Sequence, residues 1–331
     1  SLPTWEPQLL ERLNRPMEIP DKDKDKDNKD KITSYRNEQF WQVTSSEILG
    51  TIKSAKAVKP LFKCIVNPSK ADVAASAVMA LVKIGQPAMP MLSDALLGKD
   101  TEINEWAKGA VKTNPEAAVI RSAALVIGTV GRADGAKPLM DALVAAKDDP
   151  TRAIIARELS KVPTSPESLK AYMDVLMKMP VSVDLPTGEV AAAMLTETVD
   201  AFYDASVVDQ LIKRGKDAKG SDDDKRTIRD STIVALIHLM KADQVAAVEK
   251  AINEWAPKPD ENKLEKEAFA KSKNTVTACG DKLECYLAKI EEPALQEQKD
   301  QVAAIKAAYM LGILGNDGTR NEMIKIGRAH V

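Results

Sequence analysis

Large rings, glycine and histidine are all scarce in this chain. Aromatic residues make up 4% of its 331 positions, so any core must be filled by Ala, Val, Leu, Ile and Met. The 15 glycines are too few for a turn-rich β-sandwich or a glycine-laced nucleotide fold. An excess of one charge is lacking too. Lys plus Arg number 47 against 49 Asp plus Glu, and a formal net charge of −2 gives no broad positive field for nucleic acid. No apolar run approaches the roughly 18–20 residues of a membrane span. Neither G-x-S-x-G nor H-E-x-x-H occurs, and no phosphate-binding glycine loop is present. No catalytic, metal-ligating or cofactor-binding residue is therefore expected, and the protein reads as a non-enzyme.

What is present is an internal repeat. Val73, Ala77, Leu81, Ile84 and Gly85 match Val119, Ala123, Ile127, Val130 and Gly131 at one constant offset. Ala303, Ala307, Leu311, Leu314 and Gly315 fit the same template. Apolar positions at i, i+4, i+8 and i+11 line one face of an α-helix. Relaxed copies end at Leu49/Ile52, Leu159/Val162, Val199/Phe202 and Leu236/Leu239. The anchors recur at steps of roughly 30–45 residues, the spacing of helix-pair repeats, except the last, which leaves room for two units.

A second helix is expected after each anchor. Lys59-Pro60-Leu61 and Lys137-Pro138-Leu139 stand at identical offsets from theirs. Proline is tolerated in a first helical turn, where its missing N–H would have no partner. Small Ala77, Ala123 and Ala307 let a neighbouring helix come close.

On these residues the chain resembles HEAT-repeat proteins, in which antiparallel helix pairs stack into an α-solenoid. The resemblance covers roughly residues 37–255 and 293–325. More narrowly, Ala80–Asp100 (ALVKIGQPAMPMLSDALLGKD) and Ala278–Ile290 (ACGDKLECYLAKI) are similar to stretches of uncharacterised HEAT-repeat proteins of myxobacteria and relatives, often lipoproteins or periplasmic proteins. The resemblance implies an all-α fold and a periplasmic or cell-envelope location, and it carries no assigned activity. An extended solenoid surface suits a protein or peptide partner, with no nucleic acid and no membrane span in this stretch; a lipid anchor upstream is compatible with it. The alternatives are an enzyme-accessory or lyase-type HEAT protein, and a structural spacer at the envelope.

The expected organisation has five parts. Residues 1–36 read as a repeat remnant followed by a charged flexible linker, and residues 37–255 as the solenoid. Residues 256–292 read as an elongated helix pair and 293–326 as a last repeat. Residues 327–331 close an Ile326–Val331 stretch that reads as a non-native tail, so His330 carries no expected chemistry. The alternating Asp21–Asp27 run resembles a calcium loop only superficially. Lys26 stands where such a loop needs Gly, and Ile32 where it needs a bidentate Glu.

Four kinds of residue invite a functional reading. Ile-Asn-Glu-Trp-Ala occurs twice, at Ile103–Ala107 and Ile252–Ala256. Trp106 and Trp255 either cover a repeat junction or anchor a partner, since Trp is enriched at binding hot spots. Cys64 reads as a small buried hydrophobe. Cys279 and Cys285 can pair if the chain reverses at Gly280, a disulfide favoured by the family resemblance and by the compartment it implies. His238, on an Ala/Leu-lined helix, reads as a satisfied or rim histidine rather than a base.

Overall fold

The computed structural model describes residues 4–21, 23–291 and 301–315. These residues are all-α, with helices α1 Glu6–Asn14, α2 Lys29–Thr51, α3 Val58–Val66, α4 Ala71–Ile84, α5 Met89–Leu96, α6 Thr101–Ala110, α7 Pro115–Val130, α8 Ala136–Ala145 and α9 Asp149–Leu159. There follow α10 Pro166–Lys178, α11 Ala191–Thr198, α12 Val208–Lys216, α13 Asp222–Leu239, α14 Val245–Trp255, α15 Lys263–Cys279, α16 Leu283–Glu291 and α17 Gln301–Leu314. The extended pairing among them is a single antiparallel bridge, Asp184 with Val190. No single described helix is long and apolar enough to cross a membrane. Two compact units divide the chain, residues 1–175 and 176–331, with the boundary inside α10.

Local chemistry explains the helix ends. Asn28, Asp100, Asp148 and Ser221 each accept a backbone N–H from the first turn that follows, groups that otherwise have no intrahelical partner. Ser221 and Asp224 form a reciprocal capping box. Gly85 and Gly131, at φ +69° and +66°, end α4 and α7 in a backbone region that side chains resist.

In unit 1, α2 packs on α4, α4 on α3 and α7, and α7 on α5 and α9, while α1 lies on α2 and α3. The repeat positions Val73, Ala77, Leu81, Ile84, Val119, Ala123 and Ile127 are buried. A fully buried Leu, Ile or Val contributes about 1.5–3 kcal/mol, so this stripe is the main adhesive of the unit. Gly50 and Gly128 share one template place, i+9. A Cβ on Gly50 would sit 2.6 Å from Ala80 Cα, and one on Gly128 would meet Glu158, so both glycines mark close helix approaches.

In unit 2, α13 packs against α11, α12, α14, α15 and α17, and α16 against α17. Its core includes Leu211, Leu236, Leu239, Phe269, Met310 and Leu311.

One helix boundary differs from the sequence expectation. Helix α2 begins at Lys29, within the stretch read as a linker, because Asn28 caps it and Asp30 suits its positive end. Asp21 and Asp25 fold back on nearby N–H groups, with Asp21 Oδ1 accepting from Asp23 N and Lys24 N. Helix α15, the first of the pair expected within residues 256–292, starts at Lys263. The last expected repeat is described only over 301–315, and Pro293, the tail and His330 lie outside the described residues.

Candidate functional site

The duplicated pentapeptide is helical in both units, but it lies inside α6 in unit 1 and closes α14 in unit 2. Ile103 and Ala107 on α6 are buried, as are Ile252 and Ala256 at the end of α14, and both tryptophans are half-buried. Lys63 of α3 places its ammonium 5.7 Å from the Trp106 ring centroid. The outer edge of the Trp255 ring lies against Gly215 of α12, where a Cβ would come within 2.4 Å of it. Each tryptophan therefore spans to a neighbouring helix of its own unit.

The sequence reading missed a second pair. Phe40 and Trp41 on α2 stand edge to face, with ring centroids 5.3 Å apart at 75°. Both are exposed, Trp41 at 52%. Trp41 holds the first apolar place of the repeat template, where Val73 and Val119 are 0% and 1% exposed. Arg12 of α1 reaches over the Trp41 ring at 5.9 Å and is fixed there by Glu38 at 2.9 Å. A position that is core elsewhere thus presents two rings to solvent. The register of the template against Leu49 was the signal that could have flagged it.

Unit 2 contains the densest polar cluster. Asp200, in the 3-10 turn Val199–Phe202, accepts from His238 Nδ1 at 2.7 Å and from the Tyr309 hydroxyl at 2.6 Å, both on Oδ2. The His238 and Tyr309 rings stack at 4.3 Å and 12°, and Tyr203 tilts against Tyr309 at 5.6 Å. Burial first, then the Asp200 carboxylate, raises the Tyr309 phenol above its ordinary range. One turn earlier on α17, the fully buried Lys306 donates to His238 O at 2.7 Å and Met240 O at 2.6 Å. Desolvation pulls its ammonium down to about 7.

His238 is satisfied on its Nδ1 side, and its ring lines a groove of about 360 Å³ with Ile237, Leu264, Glu265 and Lys271. An imidazole oriented by a carboxylate is two-thirds of a nucleophilic triad. Among the described residues no serine, threonine or cysteine lines this groove, so these residues supply no hydroxyl or thiol nucleophile for acyl transfer. No group of three His, Cys, Asp or Glu among the described residues has metal-binding geometry.

Cys279 and Cys285 are bonded, with Cα atoms 5.4 Å apart across the corner between α15 and α16. Gly280, at φ +56°, makes the reversal, and Tyr286 donates its hydroxyl to Gly280 O at 2.7 Å. Cys64 is a free, buried thiol whose pKa burial pushes up, as suits an inert core residue. The sequence-derived residues thus lie in separate places: Trp106 in unit 1, and Trp255, the disulfide and His238 in unit 2. Neither a protein-family model nor a curated protein matches the chain.

Proposed function

We propose that this chain is built of HEAT-type helix pairs and serves as a non-enzymatic scaffold, holding a protein or peptide partner outside the cytosol. Several regularities support the solenoid reading. A 3-10 turn introduces α3, α5, α8, α12 and α14 alike, each following a template helix. Gly50, Gly128 and Gly312 fall at the same template place, and each lies in close contact with a neighbouring side chain or helix.

The observation that carries the binding reading is the Phe40–Trp41 pair, with Trp41 exposed at a place that Val73 and Val119 bury. Exposed aromatic pairs flanked by an arginine are the composition of binding hot spots. Trp106 and Trp255 retain partly open rings and stand as secondary anchors. The Cys279–Cys285 bond supports a periplasmic or envelope location, because such bonds persist where the milieu is oxidising. Nothing on the surface favours the lyase-accessory or spacer alternatives in particular.

The test compares the wild-type chain with a Phe40→Ser/Trp41→Ser variant of unchanged helical circular dichroism, each used to capture partners from extracts of the source cells. A protein retained by the wild type and lost by the variant supports the reading. Capture that is equal for both chains, or absent for both, overturns it.

A further inference from the structure

The buried lysine of unit 2 has a hydrogen-bond inventory that differs between its two protonation states. An ammonium carries three donors, and a neutral amine carries two. Lys306 is 1% exposed and meets two acceptors, His238 O and Met240 O, at the C-terminal end of α13. No carboxylate among the described residues lies within 4.0 Å of its nitrogen, whereas most buried charges are paired. When neutral the amine therefore places both of its N–H groups on acceptors and leaves only its lone pair unpaired. When protonated it has one donor too many and a buried charge faced only by the carbonyl dipoles at the end of α13.

We infer that α17 is fastened to the end of α13 by a proton-gated clasp: a neutral Lys306 holds the helix, and uptake of one proton by that amine loosens it. The second half of the clasp is Tyr309, which ties α17 to Asp200 and stacks on His238. Burial brings the Lys306 titration to about 7, so the proton arrives in a range that cells and their compartments cross.

Among the described residues, the other titratable groups on this side of unit 2 form no ion pair with Lys306. Asp200 spends Oδ2 on Tyr309 and His238. From α11, Glu197 is held above the normal carboxylate range, first by burial and then by Glu189 and Asp200. From α15, Glu265, Glu267 and Lys271 line the groove beside His238. Asp204, Asp243 and Lys241 line the groove on the Tyr203 side. On α16, Tyr286 gives its hydroxyl to Gly280 O.

The experiment is hydrogen exchange on the full chain, read on the peptide covering α17, with labelling times corrected for intrinsic exchange at each pH. In the wild type the α17 amides should open roughly tenfold more for each unit of acidification between about pH 9 and about pH 7. Lys306→Met should abolish that slope, and Asp200→Asn should raise opening equally at every pH while keeping the slope. A slope that is absent in the wild type, or unchanged in Lys306→Met, overturns the clasp. Carbon-13 NMR of lysine-labelled wild-type and Lys70→Met chains gives a reading that needs no Lys306 variant. A lysine Cε resonance titrating near neutrality in both supports the inference, and its absence from either overturns it.

Discussion

Each unit buries one lysine against the carbonyl end of a helix, and the two differ in what surrounds them. In unit 1, Lys70 donates to Leu13 O in the last turn of α1, where Cys64 Sγ also lies 3.8 Å from the same oxygen. In unit 2, Lys306 donates to two carbonyls at the end of α13. Both sites use the partial negative charge of a helix C-terminus. Desolvation lowers both pKa values, but the field of Glu38 and Cys64 opposes it at Lys70 and nothing comparable opposes it at Lys306. Deeper enclosure at Lys306, 1% exposed against 5%, and the opposing charges beside Lys70 together separate the two sites.

The largest expected effect would break or confirm that contrast. The folded pKa of Lys306 lies below its unfolded value of 10.5, so the unfolded chain takes up the proton first and stability rises with pH across that window. Unit 2 should lose about 1.4 kcal/mol per unit of acidification between about pH 10 and about pH 7, approaching 5 kcal/mol in all as an upper figure. The slope for unit 1 should be shallower. Denaturant titrations on chains keeping only Trp255 or only Trp106 read the two units separately. Equal slopes would mean that the Glu38 field is irrelevant.

Close approach by a glycine gives a second contrast. Gly50 in unit 1 faces backbone, Ala80 Cα, and Gly215 in unit 2 faces a side chain, the Trp255 ring. Backbone cannot step aside, so Gly50→Ala should cost about 2–3 kcal/mol, near the top of the range for overpacking. Gly215→Ala should cost less, about 1–2 kcal/mol, because the indole can turn outward. It should also shift Trp255 emission to the red. A blue or unmoved emission would show that α12 yields instead of the ring.

How far these features were legible in the sequence follows from the range of each interaction. The template helices and the prolines opening α3 and α8 were readable because helical periodicity and first-turn chemistry are local. The reversal at Gly280 was readable for the same reason, since six residues separate the cysteines it joins. Lys306 gave no such signal. Its burial depends on the end of α13, 66 residues away at Met240, and within α17 it looks like an ordinary solvent-facing lysine. Asp200 and Tyr309, 109 residues apart, were invisible as a pair. Trp41 was not compared with Val73, whose template place it shares, so its exposure went unseen.

The cysteines offer a third contrast of smaller size. Replacing Cys279 and Cys285 by Ser opens a short loop and should cost unit 2 about 2 kcal/mol by loss of the chain constraint. Cys64→Ala in unit 1 removes one buried sulfur and should cost about 1 kcal/mol. Adding a reductant should reproduce the first loss in the wild type and leave unit 1 unaffected. Unit 1 responding to reductant would mean that Cys64 does not stay a free thiol.

The smallest effect is expected at the surface of unit 1, where a cation covers Trp106 and nothing equivalent covers Trp255. Glu102 accepts from Lys59 Nζ at 2.7 Å and Lys63 Nζ at 2.9 Å, and these bonds and charges hold its carboxyl at about 2. The Glu102 side chain is 58% exposed, so water screens most of that interaction. Its net contribution is about 0.5 kcal/mol rather than the value a buried pair would give. Because the folded pKa is lowered from 4.5, this contribution is complete above that pH and fades as pH falls toward 2. Glu102→Gln should therefore lower unit 1 stability slightly at neutral pH and not at all near pH 2. It also releases one tether on Lys63, so quenching of Trp106 by iodide should increase while that of Trp255 stays constant. A loss of several kcal/mol would show that Glu102, Lys63 and Trp106 act as one buried junction, leaving Trp106 no open ring for a partner.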